Sequence, residues 1–377
     1  MSFRLPLLGL LGICSLLSAA PPALQPTADS WPLFRGDTQG RGAAAGTLPE
    51  KLELLWKYQV KNGAFEGTPV IVDGVVYLGD LDGAVYAWDL ETGKEKWVYR
   101  SKEVTGFATS PAIRQGRLYV SDYDGKFYCF NAADGQLKWT FDAEAEIKSS
   151  ANFYKDRVIF GSTAGSLYCL EEKSGKLLWK YDIDDQIQCT PTIVENRCFL
   201  AGCDAALHVI DLDNGKSAAK VQIGSPTGVT PAAMGSLVFF GTEGGEFLAV
   251  DWKKGEIVWR FADGERAMPF RSCPAALKDV VIFGGQNKKV HALDPKTGAE
   301  RWRFSTRRHV DASPVAVGKR VFIASLSGRL YALGLKDGKE LWKYEAGGRF
   351  VGSPAVASGK LVIANDRGDV FCFGKKK

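Results

Sequence analysis

The sequence predicts an all-β fold: an eight-bladed β-propeller of four-stranded antiparallel blades, with the N-terminal strand closing the last blade. Three observations carry that prediction. A Ser/Thr-Pro pair recurs at Thr68-Pro69, Ser110-Pro111, Thr190-Pro191, Thr230-Pro231, Ser313-Pro314 and Ser353-Pro354, with Ser150-Ala151 and Cys273-Pro274 in the same register. The steps are 42, 40, 40, 40, 43, 40 and 40 residues, the length of one four-stranded blade. At a fixed offset of 28 from the second residue of each of the first seven pairs stand Trp97, Trp139, Trp179, Ala219, Trp259, Trp302 and Trp342. The eighth pair has no such Trp after it, but Leu54-Leu55-Trp56-Lys57-Tyr58 copies Leu341-Trp342-Lys343-Tyr344 at the other end of the chain. Residues 52–60 therefore complete blade eight, and the ring has no long unpaired edge.

The segments follow in order. Residues 1–20 read as a secretory signal, with one charge at Arg4, an apolar run Leu5 to Leu17 and small residues Ser18, Ala19 and Ala20; the run is too short to span a bilayer comfortably. The expected location is secreted or periplasmic. Leu11-Gly12-Ile13-Cys14 offers an alternative, an outer-membrane-anchored lipoprotein lipidated at Cys14, against which the large Ile13 argues. Residues 21–51 form an extended leader, and 52–374 the propeller. Within a blade, runs such as Val75 to Leu78 and Val85 to Trp88 flank Asp80-Leu81-Asp82-Gly83, a hairpin signal because Gly accepts positive φ. The next turn, Asp89-Leu90-Glu91-Thr92-Gly93, recurs as Asp294-Pro295-Lys296-Thr297-Gly298, with Asp accepting amides of its own turn. The Trp that follows is expected to pack on a neighbouring blade, burying roughly 200 Å². Residues 375–377 are a basic tail. The net charge of +5 includes these three lysines, so the body is nearly neutral and has no basic stripe for nucleic acid. No other stretch is long and apolar enough for a membrane helix.

The run Ala87 to Trp97 resembles the tryptophan-docking motif of pyrroloquinoline-quinone (PQQ) type propellers, and Ala292 to Trp302 repeats it. The resemblance covers about residues 52–373, and Trp31-Pro32-Leu33-Phe34-Arg35-Gly36 is similar to the leader of many secreted bacterial proteins with these repeats. It implies one of two functions. BamB-like propellers are non-enzymatic scaffolds in outer-membrane protein assembly; quinoprotein dehydrogenases hold PQQ and calcium on the axis and oxidise alcohols or sugars. Fold does not choose between them. The dehydrogenases carry long inserts, an adjacent cysteine pair, and acidic and amide calcium ligands with an aspartate base. Here the blades differ by at most three residues and no two cysteines adjoin. The expectation is a monomeric, non-enzymatic scaffold for a protein or small-molecule ligand, without catalytic or metal residues and without cofactor. A PQQ- and calcium-dependent dehydrogenase is the alternative.

Candidate binding residues come from the repeat register. Three residues before each Pro-register position stand Glu66, Ala108, Lys148, Gln188, Gly228, Arg271, Asp311 and Val351; His309 and Arg349 stand five before. If this segment enters the innermost strand, Glu66, Lys148, Gln188, Arg271 and Asp311 converge around the axis, with His309 and Arg349 at the rim. Such a ring suits a peptide, a sugar or a charged small molecule. The same residues also fit a solvated rim of incidental ion pairs, the commoner fate of surface charge. His208 and His291 occupy the strand position held by Tyr86, Tyr128, Tyr168 and Tyr331, which makes them core side chains and not metal ligands. Cys129, Cys169 and Cys372 replace small residues, and buried Cys acts as a small hydrophobe. Cys189 and Cys203 are a candidate pair whose geometry sequence does not set. No Ser-His-Asp order or phosphate loop is present, and glycines such as Gly244-Gly245 fall at hairpins.

Overall fold

The computed structural model describes residues 24–376 apart from 62, 104, 265 and 266. The expected signal segment, Cys14 and Lys377 lie outside the described residues. Eight antiparallel sheets make the ring. Blade 1 consists of Val70–Val72, Val75–Gly79, Ala84–Asp89 and Glu95–Arg100, and the next six repeat this order of innermost to outermost strand. In blade 8, Ala355–Ala357, Lys360–Ala364 and Asp369–Gly374 are completed by Glu53–Gln59, which pairs antiparallel with Asp369–Gly374. The expected closure is thus formed by the expected strand. Middle strands are buried on both faces, as in Val75–Gly79, because each sheet is packed between two others; outermost strands alternate, as in Leu177–Asp182. No helix among the described residues is long and apolar enough to cross a membrane.

The two sequence marks have separate structural causes. The Ser/Thr hydroxyl of each pair accepts the backbone amide of the equivalent residue one blade earlier: Thr68 N–H to Ser110, Ser110 to Ser150, Ser150 to Thr190, Thr190 to Thr230, Cys273 to Ser313, Ser313 to Ser353 and Ser353 to Thr68, all at 2.8–3.1 Å. Seven of eight links around the axis are made. Cys273 stands where the eighth hydroxyl belongs, so the Thr230 amide meets no hydroxyl there. The following Pro adds no amide that would need a partner.

The Trp mark is a packing device. Trp97 lies on Gly135 of blade 2, where a Cβ would meet its ring at 2.6 Å, and its Nε1–H donates to Ala132 O at 3.0 Å. Trp56, Trp259 and Trp302 make the same bond to Leu90, Pro295 and Leu335. Trp139 and Trp179 sit on Gly175 and Gly215 with Nε1 unpartnered. The carbonyls they would use are taken: Arg117 donates to Glu172 O at 2.8 Å and Arg157 to Leu212 O at 2.6 Å. At Ala219 there is no ring, so a Cβ on Gly255 would meet nothing within 4 Å. Phe199, which would pack on that missing ring, instead meets Trp252 of blade 5 at 5.3 Å. Trp342 has no following turn and packs on Phe373 at 5.6 Å. There Arg320 reaches the carbonyls of Leu48, Pro49 and Glu50, which stand in for the interrupted turn.

Candidate functional site: the open mouth of the channel

The leader determines which end of the channel is accessible. Its backbone visits the innermost strands in ring order. Ser358 N–H donates to Ala28 O in blade 8, Trp31 and Ile71 exchange bonds in blade 1, and Ile113 donates to Pro32 O in blade 2. Ile193, Ala233, Ala276 and Ala316 of blades 4 to 7 then donate to Thr38, Gln39, Arg41 and Gly42. Ala43–Ala44 ends the circuit parallel to Ala316–Val317. At blade 3 the leader turns away through Gly36, whose φ is 87° and where a Cβ would strike the Trp31 ring. Asn152 bridges the gap: its amide donates to Thr38 O and Pro191 O while its side-chain oxygen takes the Phe153 amide. The inner edges that would otherwise face the channel are thereby covered.

Arg35, only 2% exposed, donates to Pro314 O at 2.5 Å and Pro274 O at 3.2 Å. Its Nε and Nη1 have no partner. Burial lowers its pKa to about 10, against Cys273 and Asp37, which support the charge. Asp37 itself accepts from Arg41 at 2.6 Å.

On the other side of the hydroxyl ring the channel opens as a cup of about 190 Å³. Phe34 and the ring residues form its floor, and Glu66, Ala108, Lys148, Gln188, Arg271, Asp311 and Val351 its wall. The five polar residues of the register set come together here. His309 and Arg349, two positions earlier, do not line it: Arg349 is exposed and held by Asp366 at 2.6 Å, and His309 is half-buried outside the lining. Arg271 is gripped by both oxygens of Glu243, at 2.9 Å through Nε and 2.8 Å through Nη2, which raises its pKa. Lys148 lies 3.5 Å from Glu146, and Gln188 donates to Gln186 at 2.7 Å. Glu66 accepts from the Tyr123 hydroxyl at 2.8 Å. Asp311 Oδ1 is buried without any partner. Burial raises the pKa of this carboxyl, opposed by the charges of His309 and Arg271 and by the nearby Gln286 amide.

Sequence reasoning missed Phe34, Arg35 and Glu243. Phe34 and Arg35 sat in a leader whose bonds are mostly backbone, and Glu243 in a hairpin read for its glycines. His208 and His291 are core side chains: His208 bonds Asp204 at 2.9 Å and Tyr181, and His291 bonds Glu300 at 2.7 Å. Burial lowers both pKa values despite these carboxylates. The seven described cysteines are all free, so the candidate Cys189–Cys203 bond is not formed. Burial pushes Cys129, Cys169, Cys189 and Cys372 up to about 12, which makes them inert packing residues.

Among the described residues the cup shows no converging set of acidic, His or Cys ligands for a calcium-held PQQ. A hard cation needs several converging oxygens, and no group of three acidic, His or Cys residues among those described is placed to hold a metal. A tricarboxylate needs free cations, and here both wall cations are already engaged by carboxylates.

Comparison with known proteins gives one strong family match and a broad structural likeness. Lupanine 17-hydroxylase [cytochrome c] of a Pseudomonas species is 33% identical over 79 residues, spanning 19% of this chain and 11% of that protein. The crystal structure of BamB from Moraxella catarrhalis superposes with a TM-score of 0.73 at 17% identity, covering 86% of this chain and 98% of that one. Quinohemoprotein alcohol dehydrogenase from Comamonas testosteroni gives 0.78 at 15% identity, covering 93% and 81%. These two likenesses show the shared propeller and nothing finer. Residues 49–190, 143–222 and 286–373 match the family described as outer membrane protein assembly factor BamB, and with more than half of its length so matched, this eight-bladed chain belongs to that family.

Proposed function

We propose that this protein is a non-catalytic binding scaffold of the secreted or periplasmic space, presenting the open mouth of its channel and the loops around it to a protein or small ligand. The observation that carries the reading is the leader's circuit, which bonds every blade but the third directly and reaches that one through Asn152. It occupies the channel beyond the hydroxyl ring and leaves one mouth, lined by Glu66, Lys148, Gln188, Arg271 and Asp311, facing solvent. Rigid elements on every side hold those groups, as a recognition surface requires. The family match to an outer-membrane assembly factor supports a cell-envelope location.

The second reading, a PQQ-dependent dehydrogenase, draws support from the short match to lupanine 17-hydroxylase and from the quinohemoprotein likeness. The donor set of the cup opposes it. Reconstitution of the purified protein with PQQ and calcium separates the two. We expect neither stoichiometric quinone nor dye reduction with alcohols or sugars; quinone bound one to one with turnover overturns the scaffold reading. Photo-crosslinking from positions 148 and 271 in envelope extracts is expected to give a discrete adduct, and the same probe at the outer-strand position 178 is not.

A further inference from the structure

The charges of the cup are unequally satisfied. Four charged side chains line it: Glu66, Lys148, Arg271 and Asp311. Both cations are neutralised by carboxylates outside the lining, Arg271 by Glu243 at 2.8 Å and Lys148 by Glu146 at 3.5 Å. Neither lining carboxylate is matched in this way. Among the described residues no Lys, Arg or His nitrogen lies within 4.0 Å of Glu66 or Asp311. Glu66 has only the neutral Tyr123 phenol, and one buried Asp311 oxygen has nothing. Buried polar groups are partnered in the overwhelming majority of cases, and an orphan asks for an explanation. An anion in the cup would meet two carboxylates that have no direct ion-pair partner and would have to break an existing ion pair to find a cation. A cation in the cup would meet the Asp311 side chain without breaking an existing ion pair.

We propose that the open mouth takes a cationic nitrogen head, an ammonium or a guanidinium on a short apolar stem, with Asp311 as the anchoring carboxylate. The proposal rests on the reading of this mouth as the binding site and names what it binds. Phe34 on the floor and Val351 and Ala108 on the wall offer contact to the stem, while the ring hydroxyls, each already accepting one amide, keep a second lone pair for the head. The cup holds about 190 Å³, below the roughly 300–1,000 Å³ of drug-sized sites. That volume suits one side chain or a small amine. A charge-assisted bond from the nitrogen to Asp311 is the strong kind.

The head group has two sources, a free amine or a Lys or Arg side chain on a partner protein, and titration calorimetry on the full chain distinguishes them. The probes are n-pentylammonium, the peptide Gly-Gly-Lys-Gly-Gly, and glutarate as an anion of similar length. We expect both amines to bind, more weakly as salt rises, and Asp311→Asn to lower the affinity by about tenfold or more. Glu66→Gln is expected to lower it less, and the exposed Asp73→Asn not at all. Tighter binding of the peptide assigns the site to a partner's side chain; tighter binding of pentylammonium assigns it to a free amine. Preference for glutarate, absence of amine binding, or equal amine affinity in Asp311→Asn overturns the proposal. If Asp311→Asn does not fold, as judged by circular dichroism, an undiminished affinity in Glu66→Gln does so instead. A crosslinked partner that persists in Asp311→Asn leaves the scaffold reading standing while the cation site falls.

Discussion

Two glycines in equivalent turns allow the Trp-docking contact to be isolated from its background. Gly135 and Gly255 both have φ of 71°, and each donates to the residue four before it, at 2.9 and 2.8 Å. Replacing either by Ala forces an L residue into the left-handed region, at about 1–2 kcal/mol, offset in both by the same loss of unfolded-chain freedom. Only at position 135 does the new methyl carbon collide with a ring, 2.6 Å from Trp97 Cε3; at 255 it meets nothing within 4 Å. Overpacking of this kind costs about 1–3 kcal/mol, so Gly135→Ala should be the less stable variant by that amount. Urea unfolding followed by far-ultraviolet circular dichroism measures the difference, and the rank order holds even if the ring unfolds in more than one step. Hydrogen exchange at Trp97 Nε1, bonded to Ala132 O, should also accelerate in Gly135→Ala alone. Equal midpoint shifts in the two variants would refute the docking account.

Further outcomes follow from the same contacts. Deleting residues 52–60 removes Glu53–Gln59 and bares the edge of Asp369–Gly374; the chain should lose thermal stability and aggregate, and an unchanged melting temperature refutes the closure. Cys273→Ser restores a hydroxyl opposite the Thr230 amide and should stabilise by about 0.5–1.5 kcal/mol, read as a higher urea midpoint, whereas Ser313→Ala removes the acceptor of the Cys273 amide and should lower it. His208 and His291 are buried with pKa values below 6.5. Protonation therefore favours the unfolded chain, and their contribution to stability is complete above 6.5 and is lost as pH falls from there. The double variant His208→Tyr, His291→Tyr adopts the residue of other blades and should show a shallower loss of stability below pH 6.5, measured by urea midpoints at successive pH values; parallel curves for the two proteins contradict this.

The ring was legible because it is written in repeated residue types. The Ser/Thr-Pro register and the Trp offset each encode one interaction made many times over, and the copy of Leu341-Trp342-Lys343-Tyr344 at Leu54 to Tyr58 located the closure directly. What those marks do was less legible. The hydroxyl ring depends on contact between residues such as Ser353 and Thr68 at opposite ends of the chain. The missing ring at Ala219 is answered by Trp252 in the next blade, a substitution that no spacing rule anticipates.

The cup was read in part. Alternation of period two brought Glu66, Lys148, Gln188, Arg271 and Asp311 to one wall, but the same reasoning carried His309 and Arg349 only to the rim, where Asp366 holds Arg349. The leader was opaque for a different reason. Its contacts are mostly backbone carbonyls meeting backbone amides, and such bonds leave no trace in residue type beyond the glycines that turn the chain.

The leader's circuit also bears on how the chain comes to be folded. Ala28 meets Ser358, and Trp31 to Gly42 meet blades that lie between residues 71 and 316. The part of the chain made first therefore has no complete binding surface until the part made last has been delivered. Contacts of such long sequence separation are slow to form, and a chain interrupted before its eighth blade would leave its closing strand Glu53–Gln59 and the Ala28 carbonyl without their partners. Trp31 belongs to the apolar cluster that joins blades 1, 7 and 8, whereas Leu33 belongs to one built from blades 2 and 3; an unfinished ring would therefore bare the first cluster, the kind of exposed apolar surface that makes incomplete chains prone to aggregate, and spare the second.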